Sequence, residues 1–160
     1  GAYCYLDHLQ GDPAQEPLGF GGVLPLAMAY SYNPTAAELT PDQQRYILGV
    51  QGNLWTEYIP DAAQAEYMTW PRALAIAEIG WMPAGPRNFE DFALRVKNHL
   101  PKLDRLKVGY AKSLFDMSAT TQANEQGQVQ VKLSKLDSDS RIFYTLNGKE
   151  PSEKSTEYIG

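Results

Sequence analysis

Between residues 46 and 60 the chain reads YILGVQGNLWTEYIP, a run of strand formers followed by a glycine-and-amide stretch and then Trp55 and Glu57, two residues apart. The stretch AYCYLDHLQ, opening at residue 2, repeats the design on a smaller scale, with Tyr5 and Asp7 two apart behind a short apolar run. Side chains at i and i+2 on a strand point to the same face. Each stretch therefore aims one aromatic and one carboxylate in a common direction. The pattern predicts a short buried strand over residues 3–7, with Cys4 turned away from Tyr5, and a second strand containing Leu48 and Val50. Between them, HLQGDPAQEPLGFGG (8–22) is rich in Gly and Pro and reads as a long loop of the kind that carries function above a scaffold.

Helical periods fill the intervening sequence. LPLAMAYSYNP (24–34) predicts one short helix, with Pro25 near its start and Asn33-Pro34 ending it. Thr40 and Pro41 have the form of an N-cap and a first helical residue. A longer helix is predicted from about Asp61 to Gly80, with Asp61 at its N-terminus, Trp70, Leu74, Ala77 and Trp81 as its apolar stripe, and a kink at Pro71. A second amphipathic helix follows Asn88, with Phe89, Phe92, Val96, Leu100 and Leu103 on one face and Pro101 as a point where it splits. After about Met117 the texture changes. SATTQANEQGQ (118–128) reads as a polar linker, VQVKLSKL (129–136) alternates with period two, DSDS turns, RIFYTLNG (141–148) alternates again into an Asn147-Gly148 turn, and YIG (158–160) begins a further strand.

The first part thus alternates strand, helix, strand, helix, as a parallel α/β arrangement does. Two strands do not make a stable parallel sheet, and an eight-stranded barrel needs about 250 residues. The expectation is a chain that begins inside one domain (residues 1–117) and ends inside another (118–160, a linker and a truncated all-β module). Segments 3–7 and 46–55 would then have unpaired edges and uncovered apolar faces, so the chain alone is expected to self-associate or to rearrange so that its helices bury one another.

Composition narrows the chemistry. The net charge of −5, with 14 basic residues scattered singly, argues against nucleic acid or an anionic membrane as the main partner. Cys4 is the single cysteine, so it forms no internal disulfide and reads as a packed thiol. No Cys/His spacing resembles a zinc site, and no metal or cofactor is expected. The longest apolar stretch, ALAIAEIGWM (73–82), is interrupted by Glu78 and too short to span a bilayer. No signal peptide is visible, which decides little because Gly1 opens the chain almost inside a strand.

Tyr5/Asp7 and Trp55/Glu57 both fall at predicted strand ends, where α/β barrels and open sheets gather functional side chains. Together they offer a flat apolar face, a phenol and two charged acceptors, which suits a sugar ring: its C–H face packs on an aromatic and its hydroxyls donate to carboxylates. The competing reading puts the aromatics in a core and leaves the carboxylates solvated. His8 and His99 read as non-catalytic, the first heading a loop and the second beside the Leu100 stripe. Glu78 and Arg72 read as structural partners within the helical shell.

YLDHLQGDPAQEPLGFGGVLPLAMAYSYNP, followed by ILGVQGNLWTEYIPDAAQAEYMTWPRALAIAEIGWMP, resembles the end of the catalytic barrel of the β-N-acetylhexosaminidases, the family 20 glycoside hydrolases. The likeness runs from about Tyr5 to Tyr110, and QGNLWTEY and YMTWPRALAIAEIGW carry most of its specificity. The tail IFYTLNGKEPSEKSTEYIG looks like the start of the β-sandwich module that often follows that barrel in bacterial members. The fold this implies is α/β: the last two strand–helix units of a (β/α)8 TIM barrel, followed by the start of an all-β sandwich, from a bacterial, exported or periplasmic parent.

The resemblance also implies roles. The family removes terminal N-acetylglucosamine or N-acetylgalactosamine from glycans with retention, the substrate's own acetamide attacking the anomeric carbon. Tyr5 matches the tyrosine that holds the acetamide oxygen, Trp55 the indole lining the floor of the sugar pocket, and Asp7 and Glu57 the carboxylates that accept from O6 and O4. The adjacent Asp-Glu pair that orients the acetamide and protonates the leaving oxygen is absent, as is the arginine that partners the Glu57 position; Asp12 and Glu16 are not adjacent and follow the segment of Tyr5 and Asp7, which the resemblance makes the seventh barrel strand. The chain alone is therefore expected to be inactive. Two alternatives stand beside this reading: a non-catalytic carbohydrate-binding or interaction module, and another acetamido-sugar hydrolase barrel such as a chitinase.

Overall fold

The computed structural model describes residues 3–83, 85–115, 117–124, 126–136 and 140–159. The chain divides into two compact units, residues 1–114 and residues 115–160, so the division falls three residues before the boundary expected at 117.

The first unit is a mixed α/β structure. Its strands are β1 (His8–Leu9) and β2 (Phe20–Val23), and its helices are α1 (Leu26–Tyr30), α2 (Pro41–Gln44), α3 (Ala62–Thr69), α4 (Arg72–Trp81) and α5 (Phe89–Leu106). β1 and β2 pair in parallel, with His8 opposite Phe20, inside the segment expected to be an irregular loop. Neither predicted strand forms a ladder. Residues 3–7 contribute a single parallel bridge, Tyr5 to Asn53. Residues 46–50 make no strand; Tyr46 and Ile47 close the turn after α2, donating to Gln43 O and Gln44 O at 3.0 Å each. Strand formers need an edge to pair with, and here Leu48 is 97% exposed instead.

Helix ends follow local chemistry. Thr40 and Gln43 form a reciprocal capping box around α2, Asp61 accepts from Gln64 N to cap α3, and Asn88 accepts from Asp91 N to cap α5. The single helix expected over 61–80 is two. Trp70 is extended (φ −100°, ψ 141°) ahead of Pro71, as the residue before a proline tends to be, so α3 stops and α4 starts with a new phase. That break overturns the Trp70-Leu74-Ala77-Trp81 stripe. The buried face of α4 is Arg72, Ala75, Ile76 and Ile79, while Trp81 is 89% exposed. Pro101, by contrast, does not split α5, which runs unbroken through it on a buried face of Phe92, Ala93, Val96, Leu100 and Leu103. Five buried side chains across both halves of the helix offset the one N–H a proline removes.

Tyr30 locks α1, α4 and α5 together. Its ring stacks on Phe92 at 4.1 Å and its hydroxyl donates to Glu78 at 2.7 Å, while Arg95 reaches the same carboxylate at 2.6 Å. Glu78 is thus the structural partner its apolar surroundings suggested. Cys4 is buried, and burial pushes its thiol pKa up.

The second unit holds two antiparallel pairs. β3 (Ser118–Ala123) pairs with β4 (Val129–Ser134), and β5 (Ile142–Tyr144) with β6 (Thr156–Tyr158). Residues 118–123, expected as a linker, are therefore a strand: Asn124 Oδ1 accepts from Gln126 N and Gln128 N and folds the chain back onto β4. The Tyr158 hydroxyl accepts from Leu133 N at 3.3 Å and ties the two pairs. The last strand runs 156–158, two residues earlier than expected. Residues 137–139 of the predicted DSDS turn lie outside the described residues.

Candidate functional site

The Tyr5–Asn53 bridge assembles the cleft. Asn53 N donates to Cys4 O at 2.7 Å and Leu6 N donates to Asn53 O at 2.6 Å, which sets the two segments side by side in one register. Two residues further along each segment stand Asp7 and Trp55, with Glu57 two beyond. A cleft of about 600 Å³ is lined by Tyr5, Asp7, His8, Phe20, Trp55, Thr56 and Glu57. All four side chains singled out from the sequence meet there. Trp55 is 63% exposed, so its indole is a wall and not part of a core. A second depression of about 590 Å³, near Asn33, Leu48 and Pro83, holds one charged group, Arg87, whose guanidinium is spent on Tyr32 O at 2.7 Å.

Asp7 is buried, and among the described residues its Oδ1 has no hydrogen-bond partner. Behind it lies Arg72, with no exposed surface at all. Its Nη1 donates to His8 O (2.8 Å) and Leu24 O (3.1 Å), and its Nη2 donates to Leu6 O (2.7 Å) and Met68 O (2.5 Å). Burial lowers its pKa to about 10, opposed by the charges of Glu16 and Asp7, and it stays a cation at neutral pH. Its structural role was legible from its place in an apolar helix. Its grip on the segment carrying Asp7 was not.

Three further residues line the cleft: Phe20 and Thr56, which the sequence reading did not single out, and His8, which it placed at the head of a loop. His8 Nδ1 lies 2.6 Å from Gly21 O, and because a carbonyl only accepts, Nδ1 carries the proton. Its ring meets Tyr5 at 6.2 Å and Phe20 at 5.7 Å, both edge-on. Phe20 also leans on Tyr58 at 6.4 Å, and Gln64 Nε2 pins both flanking loops by donating to Leu18 O (2.8 Å) and Tyr58 O (3.0 Å). The signal available was Gly21-Gly22. Gly22 has φ +104°, and a Cβ there would sit 2.8 Å from His8 Nδ1. Gly22→Ala is expected to cost roughly 1–3 kcal/mol through backbone strain and that clash, read as a lowered thermal midpoint. An unchanged midpoint would show that the turn relaxes freely.

The arrangement presents an indole face, a phenol and two carboxylates around one space, which equips it to hold a polyhydroxylated ring. Among the described residues no cluster of three or more His, Cys, Asp or Glu side chains is placed to hold a metal ion, and no helix is long and apolar enough to cross a membrane.

Residues 1–84, more than half of the chain, match the glycosyl hydrolase family 20 catalytic domain. A β-hexosaminidase of Porphyromonas gingivalis is 39% identical over 96% of this chain and 20% of its own length. A β-N-acetylhexosaminidase of Cellulomonas fimi is 32% identical over 66% of this chain and 21% of its own. Among solved structures, the family 20 exo-β-N-acetylglucosaminidase of Vibrio harveyi in complex with N-acetylglucosamine superposes with a TM-score of 0.64 at 37% identity, over 71% of this chain and 18% of that one. The family 20 β-N-acetylhexosaminidase of Streptomyces coelicolor gives 0.60 at 28% identity, over 70% and 22%. The chain therefore spans about a fifth of the length of these relatives.

Proposed function

The chain belongs to glycosyl hydrolase family 20, and from that premise we propose that it is the last two strand–helix units of the catalytic barrel of an exo-acting, retaining β-N-acetylhexosaminidase, followed by the start of a β-sandwich module. It supplies one wall of the pocket that takes a terminal N-acetylglucosamine or N-acetylgalactosamine residue. Tyr5 holds the acetamide oxygen as that group attacks the anomeric carbon, Trp55 carries the sugar ring, and Asp7 and Glu57 accept from its outer hydroxyls. The Asp-Glu pair that completes the chemistry comes from outside these 160 residues. The observation that carries this reading is the convergence of Tyr5, Asp7, Trp55 and Glu57 on one cleft.

Trp55→Ala in the intact enzyme tests it. Losing one stacked ring face removes about 2 kcal/mol from substrate and transition state alike, so KM and the dissociation constant for N-acetylglucosamine should both rise roughly thirtyfold while kcat holds. Unchanged affinity would remove Trp55 from the site.

The same reading predicts how the isolated chain behaves. Leu6, Val50, Leu54, Ile76, Ala77 and Trp81 line an open, mainly apolar groove, and Leu48 stands clear of any cover. Surfaces of this kind associate. Sedimentation at several concentrations should give a rising average mass, and a strictly monomeric species with cooperative unfolding would contradict it.

A further inference from the structure

We propose that Arg72 is a positioning residue for sugar binding: its guanidinium fixes Asp7 by gripping the backbone on both sides of it. The inference rests on the sugar-site reading of the cleft and names a residue that never touches the sugar. Leu6 O and His8 O, the carbonyls immediately before and after Asp7 in the chain, are both taken by Arg72, at 2.7 and 2.8 Å. Leu6 and Asp7 lie in a turn that His8 N closes by donating to Tyr5 O at 3.4 Å, and one planar fork reaches the carbonyls on both sides of Asp7. The fork itself is anchored at Met68 O on the preceding helix and at Leu24 O beyond β2. Being wholly buried, it has no solvent to exchange these partners for.

The carboxylate needs such a support. Asp7 Oδ1 is buried and, among the described residues, accepts no hydrogen bond, so that oxygen is held by no bond of its own. Tyr5, two residues earlier, is secured by a different element: Asn53 takes up Cys4 O and Leu6 N. The segment is thus pinned from one side by Asn53 at Tyr5 and from α4 by Arg72 at Asp7. Lysine keeps the charge but offers no planar fork, and the two carbonyls would no longer share one rigid donor.

A double-substitution cycle in the intact enzyme separates positioning from simple support of the fold. Calorimetric titration with N-acetylglucosamine should show Arg72→Lys weakening binding about tenfold, since small displacements of a binding group are costly, with kcat little changed. In the Asp7→Asn background the same substitution should change binding less than about twofold, because the group it acts through is already blunted. Equal losses in both backgrounds, or no loss in either, overturn the assignment. A second readout needs no substitution at Arg72: in the otherwise unsubstituted enzyme its Nε–H resonance should shift when N-acetylglucosamine binds, and should stay put in Asp7→Asn. A resonance indifferent to the sugar in both proteins overturns the assignment even if Arg72→Lys fails to fold. An intact enzyme that does not bind N-acetylglucosamine at all overturns the sugar-site reading and the Arg72 assignment together, and is recognised before any variant is made.

Discussion

Replacing Tyr5 with Phe in the intact enzyme is expected to lower kcat by about 10²–10³-fold while KM moves little. The substitution removes one oxygen and nothing else. The ring keeps its edge contact with His8, and the backbone keeps its bridge to Asn53, because both are independent of the hydroxyl. What is lost, on the proposed reading, is the donor to the acetamide oxygen. That oxygen gives its electron pair to the anomeric carbon, so the phenol serves by holding it in line for the attack, and losing that alignment falls on kcat. A variant with the kcat of the unsubstituted enzyme would assign the phenol some other task.

The second large effect is an absence of turnover. Purified alone, this chain should not hydrolyse a chromogenic N-acetylglucosaminide above the buffer rate. The two carboxylates in the cleft, Asp7 and Glu57, are assigned to sugar hydroxyls, and neither has an adjacent acid with which to share the work of positioning and protonation. The other carboxylates of the loop do not substitute. Asp12 is engaged in its own turn, its Oδ1 accepting from Ala14 N at 3.0 Å, and Glu16 is not a member of the cleft lining. A general acid alone is worth about 10²–10⁴-fold, and here the partner that orients the nucleophile is missing as well. Turnover by the isolated chain, with contaminating enzyme excluded, would sink this part of the account.

Much of the site was legible because i, i+2 spacing survives irregular backbone. Tyr5 and Asp7 share a cleft although residues 3–7 form one bridge instead of a ladder, and Trp55 joins them although residues 46–50 form no strand. The helix caps were legible for the same reason, that Thr40 and Asp61 act within three residues of themselves. What failed came from a local break in one case and from distant chain in the others. The Trp70-to-Trp81 stripe assumed one helical phase across Pro71, and the break restarts the count, turning Arg72, Ala75, Ile76 and Ile79 inward instead. Strand 46–50 was inferred from propensity, which yields no strand without a neighbour to pair with. Segment 118–123 has the polar composition of a linker, and only its register with 129–134 makes it a strand. His8 and Phe20 enter the cleft through a pairing between residues twelve or more apart, held by a glycine at positive φ, and the Gly21-Gly22 pair is its one local sign.

The central claim is that Tyr5, Asp7, Trp55 and Glu57 together hold one N-acetylhexosamine. A crystal structure of the intact enzyme with bound N-acetylglucosamine tests it most directly. The account predicts the acetamide oxygen within about 3 Å of the Tyr5 hydroxyl, the ring lying on the Trp55 indole, and the outer hydroxyls donating to Asp7 and Glu57 at similar distances. A sugar bound with this cleft empty, or seated in it without touching Tyr5 and the two carboxylates, would contradict the account.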